Sequence, residues 1–185
     1  MKKVVVLLSC SFLFAPHYNH ALDTDVSNKG CCDAKQLQED KVIMLSEELF
    51  YAIDRADKES VEKLVECGAD VNSITQDGAT PLMFAIAKCS MGCDTFSIIE
   101  HLLHNNANPH ATVSIDEKTY NVSEFSSLCA ERCKIIHQEC EKKLEALSAT
   151  QPQNPEELSV IKRASDKWRS IHETMLVIKE LLERE

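Results

Sequence analysis

Cysteine and histidine are the residues of this chain that could bind a metal or take part in redox chemistry. The sequence has nine cysteines, and four candidate ligands follow one another at steps of three and four residues: Cys129, Cys133, His137 and Cys140. This spacing places them on one face of a predicted helix. Because they spread over about three turns, roughly 16 Å, the four cannot converge on one tetrahedral ion. Two of them could bind a metal only together with two ligands from another element.

The first 21 residues have the pattern of an export signal. Lys2 and Lys3 precede an apolar run at residues 4–15 that is interrupted only at positions 9–11. A run of this length is typical of a signal peptide and is too short to span a bilayer. We therefore assign residues 1–21 as a signal peptide and expect a secreted or periplasmic protein. Attachment as a lipoprotein through Cys10 is a less favoured alternative, because few apolar residues precede that cysteine.

Export changes the interpretation of the other cysteines. Without Cys10 their number is even, and an even number in an oxidising compartment permits disulfides. Cys89 and Cys93 are the natural second pair for the set on the predicted helix. We expect disulfides or buried thiols here rather than a metal site, and we expect no cofactor.

Charge and missing motifs exclude several classes of function. Residues 22–185 have 30 acidic against 18 basic side chains, because the signal peptide contains two lysines and no acidic residue. Such a chain repels phosphate backbones and anionic lipid, so we expect no nucleic-acid partner. No later segment is apolar enough to span a membrane. The sequence has no glycine-rich phosphate loop, no Gly-x-Ser-x-Gly and no carboxylate pair at a catalytic spacing, so we predict that it is not an enzyme.

One sequence unit occurs twice between residues 61 and 111. The first copy ends in Gly-Ala-Asp-Val-Asn at 68–72, and the second ends in Asn-Ala-Asn-Pro-His at 106–110, 38 residues later. Between them, Asp-Gly-Ala-Thr-Pro-Leu at 77–82 opens the second unit. A helix that closes on glycine, a short extended hairpin and a helix that starts with Thr-Pro-Leu together resemble the ankyrin repeat.

The resemblance implies an all-α fold, an ankyrin-repeat stack of helix–turn–helix units. It covers residues 46–120, with two clear repeats and a degenerate third. We expect the third to start at Thr119, which aligns with Thr80. Ser46 is expected to cap the first helix of the first repeat, after a linker and an N-terminal capping helix at residues 22–45.

Two features depart from the family pattern. Met83 stands at a position where the family usually has histidine, and residues 89–93 add about five residues between the two helices of the second repeat. Neither departure changes the apolar positions that pack the repeats, so the fold prediction stands.

Residues 121–185 are predicted to form an antiparallel helical hairpin that caps the open end of the stack. Glycine and proline are absent from residues 121–151, and Pro152 and Pro155 then break the helix. The last helix has an apolar seam at steps of three and four residues: Ile161, Ala164, Trp168, Ile171, Met175, Ile178 and Leu182. We expect Trp168 to be a core residue whose replacement by alanine costs about 3 to 5 kcal/mol.

The stack also predicts which cysteines are neighbours. Residues one repeat apart lie side by side on helices roughly 10 Å apart. The alignment of the two threonines places Cys89 beside Leu128 and Cys129, and it places Cys93 near Cys133. These four cysteines are therefore the disulfide candidates, and a bridge between the two pairs would link the cap to the stack.

The resemblance also implies where a partner would bind. In ankyrin folds the variable contact positions lie on the hairpin tips and on the first helix of each repeat. By position they are Asp54 and Arg55 in the first repeat, Gln76, Asp77, Ala79 and Lys88 in the second, and Asp116, Glu117 and Lys118 in the third. The alternative is a solvated polar edge that has no partner.

The sequence thus predicts a non-catalytic protein–protein interaction module. The main alternative is a metal- or redox-active cysteine protein on the same helical scaffold. A third hypothesis is a structural subunit that self-associates through the apolar seam of its last helix.

Overall fold

The computed structural model describes residues 34–115, 118–150 and 155–184. They contain six helices and one two-stranded sheet: α1 Ala34–Asp54, α2 Lys58–Glu66, α3 Pro81–Ser90, α4 Phe96–His104, β1 Thr112–Ile115, β2 Lys118–Asn121, α5 Val122–Thr150 and α6 Pro155–Leu182. Residues Val42–Glu185 form one compact unit, and residues 34–41, at the start of α1, belong to the other. The predicted signal peptide lies outside the described residues, as does the linker up to residue 33. The all-α prediction is confirmed.

The first four helices end in the same way. Each is followed by a residue in the left-handed region: Ala56 at φ 53°, Gly68 at 96°, Gly92 at 90° and Asn106 at 64°. Each of these residues donates its N–H to the carbonyl three positions earlier, and the next residue donates to the carbonyl five positions earlier. This closure satisfies carbonyls that the helix leaves free. The predicted equivalence of Gly68 and Asn106 is confirmed.

Helices α3 and α2 each start at a residue whose side chain caps the helix, whereas no helix starts at Ser46. The Oγ1 of Thr80 accepts the Met83 N–H at 3.3 Å, and Pro81 is the first residue of α3. At α2, Asp57 Oδ1 accepts the Ser60 N–H at 3.2 Å. Ser46 caps nothing, because α1 runs through it without a break.

The Ser46 hydroxyl has a tertiary role instead. It donates to the Val42 carbonyl at 2.8 Å and accepts the Asp70 N–H at 3.0 Å. The side chain is buried and ties the base of the hairpin between α2 and α3 to the middle of α1. The prediction of a helix start at Ser46 is therefore wrong, and the capping helix and the first repeat helix are one element.

Helix α3 forms the centre of the core. It contacts α4, α5 and α6, and every residue in it except Lys88 is buried. Met83, at the position of the motif's usual histidine, is fully buried. The insertion is shorter than expected, because Cys89 and Ser90 complete α3 and only the residues after Ser90 form the turn before α4.

The third unit starts two residues later than predicted. Thr119 lies in β2 and pairs with Ser114 of β1 in an antiparallel hairpin. The cap of α5 is Asn121, whose Oδ1 accepts the Glu124 N–H at 2.8 Å while Glu124 Oε2 accepts the Asn121 N–H at 3.0 Å. This reciprocal pair is a capping box, and it fixes the start of α5.

Helices α5 and α6 form the predicted antiparallel hairpin, and both pack on α3. His137 Nδ1 of α5 lies 3.1 Å from the Ser165 carbonyl of α6, and His172 Nδ1 of α6 lies 3.0 Å from the Ala130 carbonyl of α5. The buried Ser165 hydroxyl also bonds His137 Nδ1, at 3.0 Å, and donates to Glu141 Oε1. These polar contacts fix the register of the two helices.

The apolar seam of α6 is buried only in its C-terminal half. Met175, Ile178 and Leu182 are buried, whereas Trp168 and the other seam residues before Met175 are half-buried. Trp168 is therefore not the core residue that the periodicity predicted, and we expect its replacement to cost less than the 3 to 5 kcal/mol typical of a buried tryptophan.

Candidate functional site

The first helices of the two repeats are joined by an ion pair between predicted contact residues. Lys88 Nζ of α3 lies 2.7 Å from Asp54 Oδ1 of α1. The lysine side chain is only 18% exposed and the aspartate side chain 40% exposed. Because each charge neutralises the other, the pair presents a polar but nearly neutral surface to a partner.

An aromatic pair supports this ion pair from one helical turn away. Phe50 and Phe84 lie four residues before Asp54 and Lys88, and their ring centroids are 5.7 Å apart in an edge-to-face arrangement. Lys88 Nζ also lies 6.0 Å from the centre of the Phe84 ring. Both rings are buried, so the packing of α1 against α3 fixes the positions of the two charged side chains.

The hairpin finger between α2 and α3, residues 69–79, has a rigid turn at its tip. Gly78 donates its N–H to the Thr75 carbonyl at 2.9 Å, and Thr75 donates its own to the Ala79 carbonyl at 3.0 Å. The Ala79 N–H is bonded to Thr75 Oγ1 at 3.1 Å. Gly78, at φ 79°, allows the turn that the Asp-Gly sequence predicted. Gln76 and Asp77 are exposed on this turn.

Ala79 does not belong to the candidate surface. Its exposure is 0%, although it directly follows the exposed turn. A partner cannot reach it, so this part of the contact prediction is wrong.

Ile74 is a surface residue that the sequence analysis missed. It is 71% exposed, more than any other large apolar side chain among the described residues. It precedes the Thr75 turn and lies on the same finger as Gln76 and Asp77. An apolar residue between the polar residues Ser73 and Thr75 is the signal that could have identified it.

Arg55 and Asp57 form an exposed pair at the end of α1. Arg55 Nη2 lies 3.5 Å from Asp57 Oδ2, and the arginine side chain is 72% exposed. The Ser60 hydroxyl, followed by the Ser60 backbone N–H, lowers the pKa of Asp57, and Arg55 acts in the same direction. Asp57 therefore serves the start of α2, while Arg55 is available to a partner.

The third group of predicted contact residues is described only in part. Lys118, the first residue of β2, is exposed. Asp116 and Glu117 lie outside the described residues. The structure thus brings Asp54 and Lys88 together, places Gln76 and Asp77 on one finger, and leaves Lys118 on a separate hairpin.

The finger at residues 69–79 is linked to the loop after α4 by one asparagine side chain. Asn72 Nδ2 donates to the Asn106 carbonyl at 3.0 Å, and Asn72 Oδ1 accepts the Asn108 N–H at 2.7 Å. These bonds join the loop after α2 to the loop after α4. The side chain therefore sets the spacing between the base of the finger and the loop after α4.

We expect Asn72→Ala to lower the free energy of unfolding by about 1 to 2 kcal/mol, because two hydrogen bonds are lost. Chemical denaturation of the purified protein measures this change. Gln76→Ala is the matched control, since its side chain is exposed and makes no hydrogen bond within the described residues. Equal stability of the two variants would show that the link between the finger and the loop after α4 contributes nothing.

The cysteines provide no metal site in the described part of the chain. No group of three or more histidine, cysteine, aspartate or glutamate side chains there could hold an ion. No disulfide joins Cys89, Cys93, Cys129 or Cys133 in the described part of the structure. Their bridging under oxidising conditions stays a prediction. Among the described helices, none is long and apolar enough to cross a membrane.

The fold and this surface define a class of protein: an all-α stack of helical repeats closed by a helical hairpin. Residues 77–113, from the finger turn to β1, match the family model of the ankyrin repeat. The match confirms the resemblance for this segment of the chain. Comparisons with curated proteins and with solved structures gave no match. Ankyrin repeats generally mediate protein–protein interaction and are generally not enzymes.

Proposed function

We propose that this chain is an exported, non-catalytic module that binds another protein through its finger and the first helices of its repeats. The contact surface consists of Ile74, Gln76 and Asp77 on the finger, with Asp54 on α1 and Lys88 on α3. Arg55 and Lys118 extend it at its edges.

The observation that supports this proposal best is the finger. The side chains of Gln76 and Asp77 make no hydrogen bond or ion pair within the described residues, yet the turn that holds them has three internal bonds. A rigid turn that exposes unpaired polar groups and an apolar side chain loses little conformational entropy when a partner binds. The apolar Ile74 supplies buried area, and the polar groups supply specificity.

A binding experiment with the mature chain tests the proposal. The purified chain without residues 1–21 is immobilised, and a protein that it captures is identified and purified. The affinity of this captured protein for the finger variants is then measured. We expect Ile74→Ala and Asp77→Ala each to weaken binding about tenfold, which corresponds to the loss of about 1.4 kcal/mol at a central contact.

Val177→Ala is the matched control, because it also shortens an exposed apolar side chain but lies on α6. Loss of binding in this variant, with full binding by both finger variants, would place the interface on the hairpin cap. Self-association through α6 is the corresponding alternative, since Val160, Leu176 and Val177 are exposed there. Light scattering of the mature chain distinguishes a dimer from a monomer.

Export rests on the sequence of residues 1–21 and has its own test. Expression of the full chain in a bacterium with a periplasm, followed by fractionation and N-terminal sequencing, identifies the compartment and the cleavage site. A cytoplasmic product that retains Met1 would contradict export while leaving the protein-binding proposal untouched.

A further inference from the structure

Two buried thiols lie where the end of α3 meets α5. Cys133 of α5 is fully buried and its Sγ lies 3.5 Å from the carbonyl oxygen of Ser90, the last residue of α3. Cys89 directly precedes Ser90 and is also buried. Cys93 folds back on the same helix end, because its N–H donates to the Lys88 carbonyl at 3.1 Å.

We propose that Cys89 and Cys133 form a disulfide when the protein folds in an oxidising compartment, and that this bridge links the second repeat to the hairpin cap. This proposal names one pair among the four candidates. The Sγ of Cys133 contacts the carbonyl oxygen of Ser90 at the end of α3, directly after Cys89. Besides burial, the pKa of Cys89 responds to a hydrogen bond with Thr95 and to the charges of Cys133, Asp94 and Cys93, so the three thiols lie in one small region.

The chemistry is thiol–disulfide exchange with a disulfide oxidant such as glutathione disulfide. One cysteine thiolate attacks a sulfur of the oxidant, which forms a mixed disulfide and releases one glutathione thiolate. The second cysteine thiolate displaces the other glutathione. The two cysteines lose two electrons, the oxidant becomes two thiols, and the protons released by the cysteines are taken up by the glutathione thiolates.

Burial determines when this reaction takes place. Burial raises the pKa of Cys89 to about 11 and also raises the pKa of Cys133. Because the thiolate is the reactive form, both thiols react slowly once α5 has packed on α3. The bridge therefore forms during folding, and the folded reduced protein is resistant to oxidation. Cys67, which is exposed, is the internal control for reactivity.

Peptide mapping distinguishes the candidate pairs, because trypsin cleaves between the two candidate cysteines of α5, Cys129 and Cys133. Cleavage at Lys88, Lys118, Arg132 and Lys134 places Cys89 and Cys93 on peptide 89–118, Cys129 on peptide 119–132 and Cys133 on the dipeptide 133–134. The reduced, unfolded mature chain is refolded with reduced and oxidised glutathione, the remaining thiols are alkylated, and the protein is digested without reductant.

The expected product is peptide 89–118 joined to dipeptide 133–134, in the wild type and equally in the Cys93→Ser variant. Four results would overturn the proposal: a link between 89–118 and 119–132, a link between Cys93 and Cys133, an internal bridge between Cys89 and Cys93, or alkylation of both Cys89 and Cys133. The experiment uses no binding partner, so its outcome is independent of the proposed function.

Thermal unfolding gives a second readout. A bridge that closes a loop of about 40 residues is expected to raise the thermal midpoint by about 10 °C, and reductant should remove this gain. The response to reductant should disappear in Cys89→Ala and in Cys133→Ala and persist in Cys67→Ser. If one alanine variant fails to fold, the other supplies the comparison. A response that persists in both alanine variants would assign the bridge to other cysteines.

Discussion

Replacing Met175 with alanine is expected to lower the free energy of unfolding by about 2 to 5 kcal/mol. Met175 is fully buried on α6, and α6 packs against both α3 and α5. Shortening the side chain removes its apolar contacts and leaves a cavity where the hairpin meets the repeats. Chemical denaturation measures the change, and each kcal/mol should lower the thermal midpoint by roughly 2 to 4 °C.

Two other substitutions on the same helix act as controls. Val177→Ala, at a site that is 51% exposed, should cost less than about 1 kcal/mol, because most of that side chain is already in water. Trp168→Ala should fall between the two, since this residue is half-buried. Equal costs at Met175 and Val177 would show that the C-terminal half of α6 is not packed on the repeats.

Replacing Gly92 with alanine is expected to cost about 1 to 2 kcal/mol from backbone strain, because its φ of 90° lies in the region that L-residues with a Cβ avoid. The added methyl group would also lie 3.0 Å from Lys167 Cε and 3.1 Å from Ile171 Cδ1 of α6. Both atoms are the ends of flexible side chains, so we expect this crowding to add less than the strain does. Chemical denaturation again measures the sum.

Gly68→Ala separates the two contributions. Gly68 has nearly the same φ, 96°, and a Cβ there would meet nothing within 4 Å. The difference between the two alanine variants is therefore the contact with α6, and it should shrink in a Lys167→Ala background. A Gly92→Ala variant as stable as the wild type would contradict the positive φ that closes α3.

The apolar seam of α6 illustrates what helical periodicity predicts. The steps of three and four along α6 correctly identified the side of the helix that faces the protein, because that face is a property of the helix itself. How far that face is covered is decided by packing. Met175 is fully buried and Trp168 is half-buried, although both occupy equivalent positions in the seam.

The candidate surface shows the same division. The Asp-Gly turn predicted a finger and hence the exposure of Gln76 and Asp77, because turn formation is local chemistry. The burial of Ala79 could not be read from the turn, because an alanine looks the same in sequence whether its methyl group lies in the core or in solvent. The pairing of Asp54 with Lys88 required the two helices to pack through Phe50 and Phe84.

The sequence by itself determined the features that depend on a few neighbouring residues: the helix closures at Gly68 and Asn106, the start of α3 at Thr80, and the turn at Gly78. Tertiary structure decided which of several residues suited to cap a helix does cap one. Ser46 and Thr119 are both good caps by residue type, yet the first is held inside α1 by its bond to the distant Asp70, and the second is held in β2 by pairing with β1. Local propensities contribute about 1 kcal/mol each, and packing and strand pairing outweigh them wherever the two disagree.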